Sequence, residues 1–206
     1  MRKETRLILE KYYTQEDLKK FIVFSKIIEK DYKNKEKQRI IWEYDKKLGG
    51  YGGYAAPLNP TINPFNRLEE YRNVFRSLQY ARSDMYYCNR ARHIIIDAAL
   101  HVETLVKILV SKDKTVKFIY EKRELGKNIE QLYKEEKIDS NLYERLNNYR
   151  KILNLAKHDT DTHKANTFSP IDAIVFYFET RVIGIMLLKI LRHHSVYRSY
   201  EINEEF

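Results

Sequence analysis

Apolar residues recur at helical spacing along most of this chain, and that pattern predicts its elements. Leu7, Ile8, Leu9 and Tyr12 begin it, and Thr14-Gln15-Glu16-Asp17 reads as an N-cap followed by acids in a first turn. Leu18, Phe21, Ile22, Phe24, Ile27 and Ile28 continue the helical repeat. The stretch from Lys30 to Arg39 is mostly charged and reads as a solvated helix end or loop, before Ile40, Ile41 and Trp42 return to packing. Residues 6–48 thus predict two helices. Four of the six glycines and three of the four prolines fall between 49 and 64, a segment that cannot be helical. It also carries Tyr51, Tyr54, Leu58, Ile62 and Phe65, which either stack on bases or fold back on the parent domain.

Beyond that break the helical pattern resumes. Residues 67–82 set Arg67, Arg72, Arg76 and Arg82 among Leu68, Tyr71, Val74, Phe75 and Leu78, either a phosphate-tracking face or an ordinary solvated one. A long helix over 84–110 has a nearly continuous apolar side, with Glu103 and Lys107 paired on the other. Two more helices are expected over 125–134 and 140–158, with Asp139 or Ser140 capping the second. Ser169-Pro170 opens a last helix running to His193, with proline at its favoured first position, and 159–168 reads as a polar loop. The expectation is an all-α chain in three parts. These are an N-terminal helical appendage (1–48), a Gly/Pro/aromatic-rich loop (49–66) and a helical bundle (67–206).

Composition narrows the function classes. With 38 Lys plus Arg against 29 Asp plus Glu, the net charge of +9 favours polyanionic partners such as RNA. Cys88 is the only cysteine, so no intrachain disulfide forms and a reducing cytoplasm is the expected setting. Met1 is followed by Arg2, Lys3 and Glu4, without an apolar signal segment, and the run Val182 to Leu188 is too short to span a bilayer. A soluble protein without membrane attachment is expected. Six histidines are present, but no cysteine pair and no H-E-x-x-H, so neither a metal nor another cofactor is expected. No Walker loop follows the glycines, and G-x-S-x-G is missing.

The candidate chemistry lies late in the chain. R-K-I-L-N-L-A-K-H-D (150–159) places Arg150, Asn154 and His158 at four-residue steps. Arg150 and His158 are then separated by roughly 12 Å of rise and about 80° of rotation, so a cation, an amide and an imidazole follow one inclined stripe. The stripe can hold a phosphate, or it can be a solvated face that happens to carry a histidine. Lys151 and Lys157 are further cations beside it.

A-R-H-I-I-I-D-A-A-L-H-V-E-T-L-V-K (91–107), L-G-K-N-I-E-Q-L (125–132), Y-E-R-L-N-N-Y-R-K-I-L-N-L-A-K-H-D (143–159) and the helix from Ser169 together resemble a HEPN domain over about residues 80–194. The resemblance implies an up-and-down bundle and a metal-independent endoribonuclease, a toxin or antiviral defence effector acting as a homodimer, with an antitoxin or other protein as partner. It implies His158 as acid/base, Arg150 as phosphate clamp and Asn154 as orienting amide; Lys151, Lys157 and the row Arg67, Arg72 and Arg76 are expected as RNA contacts from their charge alone. Imidazole suits proton transfer near neutrality, and guanidinium suits a developing phosphorane charge. Here Leu153 precedes Asn154, where the family commonly has Arg, and seven residues separate Arg150 from His158. That difference motivates the alternative, a non-catalytic module binding RNA, a nucleotide or a protein.

Overall fold

The computed structural model describes residues 1–48, 72–87, 90–110, 124–158 and 168–192, and every element in them is helical. In order these are α1 (Lys3–Tyr12), α2 (Gln15–Lys30), α3 (Lys35–Leu48), α4 (Arg72–Tyr87), α5 (Ala91–Val110), α6 (Leu125–Lys134), α7 (Ser140–His158) and α8 (Pro170–Arg192). The chain is an all-α helical bundle. The segment 49–66, Arg67, Cys88 and all but the last residue of the expected loop over 159–168 lie outside the described residues.

Capping residues set several helix starts. Thr14 accepts from the Asp17 amide at 3.1 Å while the Asp17 carboxylate accepts from the Thr14 amide, a reciprocal capping box at the head of α2. Asp139 accepts from the Leu142 amide at 2.7 Å and so starts α7. At α8, Ser169 donates its amide and hydroxyl to Asp172, and Pro170 takes the first helical position. The N-terminal segment contains three helices where two were expected, because Asp31 and Asn34 end one helix and begin the next within the charged stretch. The predicted helix over 84–110 likewise divides: residues 84–87 finish α4, and α5 starts at Ala91.

α8 is the axis of the bundle. Ala173 to Phe178 are all buried, and α5, α7 and α1 to α3 pack around it. Most of this helix is covered by its neighbours, so it keeps little polar face, which explains the unbroken run from Val182 to Leu188. The first three helices lie on this axis. Phe21 of α2 stacks on Phe178 of α8 at 5.3 Å between ring centroids, and Tyr44 of α3 meets Phe178 edge-on at 4.9 Å. Fully burying one such ring contributes about 1.5–3 kcal/mol, so Phe178→Ala would loosen three helices together. The N-terminal helices therefore share the core of the bundle.

Two buried polar clusters fasten the same layer. Asp45 of α3 accepts from Arg82 of α4 at 2.6 Å and from Arg181 of α8 at 2.8 Å, with the Arg82 guanidinium 4.2 Å above the Trp42 ring. Arg82 is therefore a core residue, and the arginine row expected over 67–82 is not one solvated face. Arg145 of α7 forms a bidentate pair with Glu179 of α8 at 2.6 and 2.8 Å, and Tyr13 donates to the same carboxylate at 2.7 Å. Buried charges remain ionised only where such partners satisfy them. Burial, with the neighbouring Glu179 charge, pushes the Tyr13 phenol well above its ordinary range. No helix among the described residues is long and apolar enough to cross a membrane.

Candidate functional site in the groove between the first and seventh helices

α7 carries the candidate residues, and its periodicity decides which of them meet. Leu142, Leu146, Tyr149, Ile152, Leu153 and Ala156 form the buried face. Leu153 is 1% exposed, so the position before Asn154 belongs to the core, where a cation would have no place. On the outer face, Lys151, Asn154, Leu155 and His158 follow i, i+3, i+4, i+7 spacing and so share one stripe. Together with Glu4 of α1 they line an open groove of about 570 Å³.

The second wall follows from the way α1 lies on α7. Lys11 pairs with Glu144 near one end, and Glu4 meets Lys151 to His158 at the other, so the two helices run antiparallel. Seven residues back along α1 and seven forward along α7 bring Glu4 to the level of Lys151. His158 stands roughly 10 Å of helical rise further on. Cα–Cβ bonds tilt toward a helix's own N-terminus, so in antiparallel helices Glu4 leans toward the His158 end and His158 leans back toward Asn154. Glu4 forms no ion pair among the described residues, and Lys151 donates only to Asn148, at 3.3 Å. The groove thus holds a carboxylate, an ammonium, an amide and an imidazole.

Arg150 is placed elsewhere. It sits one residue, about 100°, from Lys151, and its guanidinium lies against Gly126 in the first turn of α6. Its Nε is buried without a hydrogen-bond partner. The spacing of four repeated twice drifts by about 80°, enough to carry Arg150 out of the groove that holds Asn154 and His158. The structure therefore brings together Asn154, His158 and Lys151 and leaves Arg150 out.

The remaining cations separate in the same way. Lys157 turns away from the groove and pairs with Glu103 of α5 at 2.5 Å, so Glu103 reaches across to α7 instead of forming the i,i+4 pair with Lys107 expected from the sequence. Arg76 is exposed on α4, Arg72 is the first residue of that helix, and Arg67 is outside the described residues. Sequence reasoning missed two residues. Glu4 was read only as part of a charged N-terminus. Arg92 of α5 donates to the Ala156 carbonyl at 2.6 Å and to the Lys157 carbonyl at 3.3 Å, fixing the end of α7 where His158 stands. A basic residue at a helix C-terminus also suits the macrodipole, which favours His158 and Lys157 in this last turn.

Among the described residues, no group of three His, Cys, Asp or Glu side chains gathers to hold a metal ion. Comparison with family models, curated proteins and solved structures returned no match, so the functional reading rests on the residues of this groove.

Proposed function

We propose that the groove between α1 and α7 takes an RNA phosphodiester, and that the protein is a HEPN-like endoribonuclease cleaving by 2′-hydroxyl attack without a metal. The observation supporting this is the shared groove of Glu4, Lys151, Asn154 and His158. Glu4 accepts the 2′-hydroxyl proton as the 2′-oxygen attacks phosphorus. His158, protonated, gives a proton to the departing 5′-oxygen, and a 2′,3′-cyclic phosphate remains. The P–O bond to the 5′-oxygen breaks as the new one forms, and the proton moves from Glu4 back to His158 through solvent. The Lys151 ammonium offsets the phosphorane charge, and Asn154 orients the phosphate. A homodimer pairing two such grooves, and a toxin or antiviral role restrained by a partner protein, belong to the same proposal.

The test is cleavage of RNA by the pure protein in EDTA. Positioned acid–base catalysis contributes about 10²–10⁴-fold, so His158→Ala should lose cleavage by that order while Arg150→Ala stays within a few-fold of wild type. Equal cleavage by the wild type and His158→Ala, or none by either, removes the proposal.

A second reading draws on the placement of Arg150. Without a guanidinium, the groove lacks the planar fork suited to a phosphorane, and Lys151 is a point charge. The groove then binds RNA without turnover. Saturable, salt-sensitive binding with no product would favour this reading.

A further inference from the structure

A second cavity, of about 680 Å³, opens at the other end of α1 and α7, within the size range of small-molecule sites. Tyr12, Tyr13 and Tyr44 line one side, and Val182, Met186 and Ile190 line the other. Those three α8 residues recur at four-residue steps and remain half-buried on a helix that is buried over most of its length. Nothing proposed for the α1–α7 groove uses this cavity.

The charged groups around the cavity decide what suits it. Asp17 accepts from the Thr14 amide and hydroxyl and from the Tyr44 hydroxyl, and sits at the N-terminus of α2. Asp139 accepts from the Leu142 amide at the N-terminus of α7. Each carboxylate is thus offset by hydrogen bonds and by a helix dipole. Arg145 is bidentate to Glu179, Lys137 pairs with Glu135, and Lys189 is also engaged within the protein. The charged groups already have partners, and the Tyr12 hydroxyl, buried without a hydrogen-bond partner, is neutral, so a charged ligand would lose hydration that these groups do not repay. Aromatic rings and a branched aliphatic stripe instead match a flat apolar body.

We propose that this cavity is a binding site for a neutral, largely apolar aromatic small molecule, held between the three tyrosines and the Val182–Met186–Ile190 stripe. The ligand lies against the junction of α1 and α2 and the first turns of α7.

The test uses two fluorescent probes with one skeleton: neutral N-phenylnaphthylamine and its charged relative anilinonaphthalene sulfonate. The neutral probe should brighten saturably with a single site per chain, and the sulfonate should bind at least about tenfold more weakly. Met186→Glu, at a half-buried position, should abolish neutral-probe binding while far-ultraviolet circular dichroism is retained. Met186→Trp narrows the cavity at the aliphatic stripe without adding charge and should weaken binding at least about tenfold, which keeps the test decisive if the glutamate variant unfolds. The proposal is overturned by no saturable binding, by equal affinity for the two probes, or by unchanged binding in the folded variants.

Discussion

The guanidinium of Arg150 stands where a side chain on Gly126 would project: a Cβ built there comes within 3.0 Å of Arg150 Cζ. The pair fixes α7 against the first turn of α6 and holds Arg150 away from His158. Gly126→Ala gains helix propensity, by about 0.5–1 kcal/mol, but displaces the flexible tip of Arg150. Stability to urea should change by less than about 1 kcal/mol, and RNA cleavage or binding at the α1–α7 groove should be unchanged. A loss of RNA activity in Gly126→Ala comparable to that of His158→Ala would return Arg150 to the site.

Gly184 presents the opposite case. A Cβ there would lie 2.5 Å from Nε2 and 2.9 Å from Cδ2 of His101, a buried imidazole on α5. A rigid ring cannot swing aside as an arginine tip can, so α5 and α8 must separate. Gly184→Ala should cost about 1–3 kcal/mol by overpacking, read as a lower urea midpoint with an unchanged slope.

The two glycines also show what the sequence made legible. The fold class followed from periodicity, and the starts of α2, α7 and α8 followed from Thr14, Asp139 and Ser169-Pro170, because caps are local chemistry. The position of the first three helices did not follow. The Gly/Pro-rich segment suggested a boundary, whereas Phe21, Phe24 and Asp45 join the same core through contacts separated by more than a hundred residues. In the candidate site, Asn154 and His158 were legible from spacing. Arg150 shares their four-residue spacing but lies against Gly126, because successive four-residue steps look collinear in sequence while rotating around the helix. Glu4 comes from another helix, so no local signal marks it.

The Arg145–Glu179 pair lies beneath the second cavity, and its expected response is large. Glu179 is fully buried and receives Arg145 and Tyr13. Glu179→Ala leaves a buried guanidinium without its carboxylate and should cost about 3–5 kcal/mol in urea denaturation. The loss should depend little on salt, because buried pairs are poorly screened. A cost below about 1 kcal/mol would mean that the pair is solvated.

The capping box of α2 gives a pH signature. Burial raises the Asp17 pKa, but hydrogen bonds from Thr14 and Tyr44 outweigh it, so the carboxyl lies below its ordinary 3.8. A depressed folded pKa contributes stability that is present above the unfolded value and lost as pH falls through the folded one. Asp17→Asn should therefore lower the melting temperature at pH 7, and the gap from wild type should close as pH falls below about 4. Thr14→Ala removes the hydroxyl partner and should cost about 1 kcal/mol at neutral pH.

Asp97 on α5 has the reverse sign. Burial and the nearby Asp84 charge raise its pKa above 3.8, against an opposing pull from His93. An acid with a raised folded pKa binds its proton more tightly when folded, so folding stability falls as pH rises from the unfolded value through the folded one. Above that window the penalty is complete. Asp97→Asn keeps the shape and removes the charge, so it should melt higher than wild type at pH 7. The advantage should shrink as pH falls through the window and vanish near pH 3, where both proteins are neutral at this position. A variant that melts lower than wild type at pH 7 would show that the Asp97 charge is satisfied by a partner instead of repelled by Asp84.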